Sequence, residues 1–131
     1  MRRMPVILVA CTLLAACQSP GAGRLAAAPG EYRLQAGESL TLPDRSQLTY
    51  VRLVADSRCR PDVVCIRAGD ADIEVRWTSP SGKPSLARLN SDPGNQQRAP
   101  AAAHFGPWAV ALKALDWRNP PTATVSLTRS Q

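Results

Sequence analysis

The sequence has one histidine, His104, which stands alone between a Pro/Gly-containing stretch and Phe105. Metal ligation would need partner ligands at a suitable spacing, and none accompany it, so His104 reads as a loop residue. No serine sits in a Gly-x-Ser-x-Gly context, which removes the strand–turn–helix arrangement that presents a nucleophile. The acidic series Asp70, Asp72, Glu74 lacks the glycine and terminal glutamate of a calcium-binding loop. No apolar run reaches the roughly 20 residues needed to span a bilayer. Aromatic residues make up 5% of the chain, too few for a stacking platform: Trp77 and Trp108 read as core, and Trp117 falls at a strand end. No cofactor and no metal is implied. The Asp70/Asp72/Glu74 face is the one place from which acid/base chemistry could be assembled. Residues two apart on a strand are roughly 7 Å apart, so the expectation is a solvated face paired across to Arg52.

What is present begins at the front. Arg2 and Arg3 precede an apolar stretch over residues 5–15, and small residues lead to Cys17. Charge, short apolar core and small residues in that order form an export signal, expected to cover residues 1–16 and to be removed. The junction Leu14-Ala15-Ala16-Cys17 resembles the bacterial lipobox. That resemblance implies a diacylglyceryl group on the Cys17 sulfur, cleavage just before it and an acylated amine. A second match, Leu8-Val9-Ala10-Cys11, would leave an apolar region of about six residues, below the usual range of about 7–15. Several acyl chains hold a protein stably at a membrane without spanning it. Gln18 follows the cysteine where, in enteric bacteria, an aspartate favours inner-membrane retention, so the resemblance implies the outer membrane, facing the periplasm.

Loss of Arg2 and Arg3 with the signal lowers the formal charge from +6 to +4. The excess is spread along the chain, which argues against nucleic acid as a partner. A weak attraction to anionic head groups or lipopolysaccharide is compatible with it. Once Cys11 is removed and Cys17 lipidated, Cys59 and Cys65 remain, in a compartment that oxidises thiols. They are expected to form a disulfide, and closing so small a loop contributes about 2–2.5 kcal/mol. A redox-active pair would take Cys-x-x-Cys spacing at a helix start, whereas here the spacing is wider and Pro61 opposes a helix.

Residues 17–30 read as the lipidated cysteine and a Gly/Ala/Pro-rich tether, about 20 Å long on average if flexible. Residues 31–131 form one domain. Alternation predicts strands at 48–55, with Val51, Leu53 and Ala55 inward; at 70–77, with Ile73, Val75 and Trp77 inward; at 85–90; at 108–115, with Trp108, Val110 and Leu112 inward; and at 122–128, with Ala123, Val125 and Leu127 inward. Weaker strands precede at 32–34 and 39–42, and 91–103 reads as a long loop. Residues 108–117 are alanine-rich, and their period-two pattern favours strand over helix. About seven short strands between Gly/Pro turns predict an all-β sandwich or barrel with one disulfide-closed loop.

The least generic segment is Asp56-Ser57-Arg58-Cys59-Arg60-Pro61, continuing to Cys65-Ile66-Arg67-Ala68-Gly69-Asp70-Ala71. It resembles a motif of small bacterial lipoproteins and secreted domains, roughly Asp-Ser-Arg-Cys-Pro followed by Cys-x-Trp-x-Gly-acidic-Ala. Arg60 is inserted before Pro61, and Arg67 stands where the family tends to have Trp. The resemblance implies a fold and a compartment, not a reaction. Physically, Asp56 and Ser57 suit a turn, Gly69 lets the backbone re-enter a strand, and Arg58, Arg60 and Arg67 make the loop basic. Two readings stand side by side: a partner-binding loop carrying Arg58, Arg60 and Arg67, or a staple whose ions pair with one another. The functional expectation is a non-enzymatic, lipid-anchored envelope module that binds an envelope protein or glycan or supports the surface. The alternatives are a periplasmic inhibitor or binding protein that inserts this loop, and an enzyme using Asp70/Asp72/Glu74.

Overall fold

A computed structural model describes residues 24–25, 29–94 and 99–131. The signal segment, Cys17 and Gln18 lie outside the described residues. The described chain is all-β, with strands β1 (Arg24–Leu25), β2 (Gly30–Leu34), β3 (Ser39–Thr41), β4 (Gln47–Asp56), β5 (Ala71–Thr78), β6 (Pro84–Asn90), β7 (Ala102–Phe105), β8 (Trp108–Leu115) and β9 (Ala123–Arg129). They form two sheets, ordered β1-β3-β4-β5-β6 and β2-β9-β8-β7. Every described pairing is antiparallel except β1 with β3.

The sheets pack as a sandwich because each strand has one apolar face to hide. One sheet contributes Leu40, Leu48, Tyr50, Ile73, Val75 and Leu89, and the other Leu34, Trp108, Val110, Leu112, Val125 and Leu127, to one continuous core. The expected inward sets of the strands at 70–77, 108–115 and 122–128 are all in or against that core, with Trp77 half-buried and stacked on Phe105 at 6.0 Å between ring centroids.

The inward set expected for 48–55 needs correction. Leu53 packs against the core as expected, but Leu48 and Tyr50 are the fully buried residues, Val51 is only half-buried and Ala55 is exposed. The β4–β5 register shifts between Tyr50 and Arg52 and again between Leu53 and Ala55. An extra residue at a bulge turns the following side chains to the other face, so strict alternation counted from Val51 matches the strand only at Leu53, between the two shifts. Two further differences concern loops. Arg24–Leu25 and Gly30, assigned by composition to the tether, are paired in sheets. His104, expected in a loop, lies on β7 opposite Ala109, its ring 3.3 Å from the Ser130 hydroxyl.

The two sheets are also joined by polar contacts near the end opposite the disulfide loop. Asp44, in the β3–β4 turn, accepts a hydrogen bond from the Trp108 indole at 2.9 Å and two from Ser46. Burial opposes ionisation of Asp44, but the Ser46 and Trp108 hydrogen bonds outweigh it and hold the carboxyl below its ordinary value.

Truncating the core should be costly and truncating the edge should not. Ile73→Ala, at a position with no exposure, should lower unfolding stability by about 2–5 kcal/mol. Leu86→Ala, on edge strand β6 and 63% exposed, should change it by about 0.5 kcal/mol or less. Denaturant titration of both variants checks the contrast.

Candidate functional site: the disulfide-closed loop

The β4–β5 connection is built outward from a short ladder. The Ser57 amide donates to the Asp70 carbonyl at 2.8 Å and the Cys59 amide to the Ala68 carbonyl at 2.6 Å. The Ser57 hydroxyl also donates to the Asp70 carbonyl at 3.0 Å. Gly69 is required where these strands close. It has φ +67°, and a Cβ there would run into the Ser57 carbonyl oxygen. Beyond the ladder, Cys59 and Cys65 are disulfide-bonded with Cα atoms 5.9 Å apart. A turn formed by the Val63 amide on the Arg60 carbonyl completes the tip.

Arg58 sets where this loop stands. Its guanidinium grips Asp56 with two hydrogen bonds, at 2.9 and 2.7 Å. It then crosses to the other sheet and donates to the carbonyls of Leu115 at 2.8 Å and Asp116 at 3.1 Å. It also lies over the Trp117 ring, 4.2 Å from the centroid. A planar fork can meet a carboxylate, two carbonyls and an aromatic face at once, which an ammonium cannot. The side chain is only 12% exposed. The hydrogen bonds from Arg58 hold the Asp56 carboxyl below its ordinary value, against a smaller opposing effect of burial. Burial pushes the nearby Tyr50 phenol up, and the Arg58 charge offsets part of that.

The second half of the site is the β8–β9 connection. Asp116 folds it back by accepting from the Arg118 amide at 3.1 Å and the Thr122 amide at 2.7 Å. Burial opposes ionisation of Asp116, and these bonds more than compensate, so its carboxyl also sits low. Between the two connections lies a shallow cleft of about 280 Å³ lined by Leu53, Asp56, Arg58, Arg60, Trp117, Arg118, Asn119 and Pro121.

The three arginines of the candidate partner-binding loop therefore separate. Arg58 is committed to internal contacts. Arg60 is 71% exposed and only loosely paired with Asp62, at 3.9 Å. Arg67 is exposed at the rim of the tip. The side chains that composition did not single out are the aliphatic ones. Val63 is 52% exposed, and Val64 and Ile66 have all their surface in water. Burying such a side chain would contribute about 1.5–3 kcal/mol, a gain this loop leaves untaken. A cue was available: three aliphatic residues lie within a loop too small to hide them.

The acidic face differs from expectation as well. Glu74 pairs with Arg52 at 3.3 Å as expected. Asp70 and Asp72, however, are each only 7% exposed, not solvated. The Asn90 amide donates to both, at 2.9 and 2.7 Å, and so ties the end of β6 to the start of β5. None of the three carboxylates lines the cleft.

Arg58→Ala should cost on the order of 2–3 kcal/mol of stability, because Asp56 and two carbonyls lose a charged donor. Arg58→Lys should recover less than half, as judged by thermal unfolding. The pH dependence has a definite sign. A carboxyl held low when folded adds stability above its ordinary value of 3.8, and loses it as pH falls through the lower folded value. Asp56→Asn should therefore be destabilising at neutral pH, with the gap to the parent closing below about pH 4.

No protein-family model matches this chain, and no curated protein or solved structure matches it either.

Proposed function

We propose that the protein is a non-enzymatic, lipid-anchored module of the bacterial cell envelope that makes contact through the tip of its disulfide-closed loop. The observation that carries this reading is the full exposure of Val64 and Ile66 on a covalently closed loop whose base is pinned by Arg58. A soluble surface rarely displays clustered aliphatic side chains without a use for them. A rigid loop loses little conformational freedom when it docks. The Cys59–Cys65 disulfide supports the compartment, since an oxidising periplasm is where such a bond persists. The same loop serves the inhibitor reading, which differs only in the identity of what it touches. The acidic residues lend no support to an enzyme: Asp70 and Asp72 are used to hold Asn90, and Glu74 to hold Arg52.

Two experiments test the two halves. Cys17→Ser should move the protein from the membrane fraction to the soluble periplasm or leave the signal uncut. Normal cutting with unchanged membrane attachment would refute the anchor. A photo-crosslinking residue placed at Val64 in living cells should yield adducts, whereas one at Ser81, in the β5–β6 turn at the opposite end, should not. Equal yields at the two positions would remove the loop as the contact surface.

A further inference from the structure

We infer that the loop tip dips into the same bilayer leaflet that holds the Cys17 lipid, giving the protein a second membrane contact; this rests on the lipoprotein reading above. Strand direction is the first ground. β1 runs parallel to β3, and β3 antiparallel to β4, whose C-terminal end leads into the loop. The N-terminal end of β1 therefore faces the loop end of the sandwich. Chain length is the second. Arg24 pairs with Leu40, and Leu40 with Leu48, eight residues before Asp56 on β4. That is at most about 26 Å of strand. Cys17 is seven residues ahead of Arg24, and seven residues reach about 25 Å when fully extended. Because β4 is bulged, six residues of β5, Trp77 to Ala71, cover the same stretch in about 20 Å. The anchor can thus pass the level of the loop base by only about 5 Å, and a leaflet holding it is drawn down onto the loop end.

The chemistry of the tip is the third ground. Val63, Val64 and Ile66 form an aliphatic point with no directional polar group among their side chains, which suits acyl chains rather than a shaped pocket. Arg60 and Arg67 flank it, and Arg118 stands on the neighbouring connection with its side chain 69% exposed. Such side chains keep a charged head among phosphates while their stems lie along apolar surface.

The test uses the full chain, exported, purified with its lipid and reconstituted into phosphatidylethanolamine/phosphatidylglycerol vesicles. Val64→Trp adds a fluorophore at a fully exposed position that the fold does not rely on. After subtraction of the parent signal, its emission should shift to the blue. Brominated acyl chains should quench it by about twofold or more, since interfacial apolar groups sit roughly 5–10 Å into the boundary. Ser81→Trp should emit as in water and stay unquenched. If mass spectrometry finds the acyl chains on Cys17 and Val64→Trp is quenched no more than Ser81→Trp, the inference is overturned while the anchor stands. An unacylated Cys17 would overturn both.

Discussion

Two polar clasps hold the sandwich closed at its ends, and the one made by Arg58 decides what the protein presents to its surroundings. The core itself is ordinary: two sheets, each with one apolar face, hide those faces against each other. Hydrophobic burial is non-directional, so it leaves open how the connections at either end are posed. Arg58 settles that at the loop end by holding Asp56 beside it and the Leu115 and Asp116 carbonyls of the other sheet. Asp44 and Trp108 do the corresponding work near the other end.

Once its base is fixed in this way, the disulfide gives the loop its shape. The Arg58 contacts and the ladder through Ser57 and Cys59 stop at Ala68, and the residues beyond are ordered by the Cys59–Cys65 bond and one turn, with a loose Arg60–Asp62 pair. An open chain of that size could fold Val64 and Ile66 back against the sheet. The closed loop is too short to do so, and the aliphatic side chains stay in water. The same restraint that makes the loop a stable structural feature therefore keeps Val64 and Ile66 exposed, which is what the proposed contact draws on. Of the two readings of the segment, the base has the internal pairing of a staple, and the exposed tip is where the display reading is proposed.

Legibility in the sequence followed the range of the interactions. The period-two runs through Ile73, Val75 and Trp77, and through Ala123, Val125 and Leu127, were readable because a half-buried strand writes its own pattern. The paired cysteines were readable once Cys17 and Cys11 were set aside. The phase of β4 was not, since a bulge depends on the partner strand and leaves no local mark. β7 writes no such pattern, because two alanines and a histidine carry little strand signal. Asp70 and Asp72 sit on the side that alternation assigns to solvent, yet Asn90, 18 residues beyond Asp72, bridges them. Arg58 looked like one of three equivalent cations because its partners at Leu115 and Asp116 lie 57 and 58 residues away. What separated Arg58 from Arg60 and Arg67 was tertiary structure.

The central claim is that contact is confined to the loop tip while the rest of the sandwich stays in water. Hydrogen–deuterium exchange of the full chain, compared between its native membranes and detergent solution, measures this directly. Exchange should slow on membranes for the peptide covering residues 60–67 and change little over β5, β6 and the β5–β6 turn. Unchanged exchange at 60–67, or slowing spread over the outer face of a sheet, would contradict it.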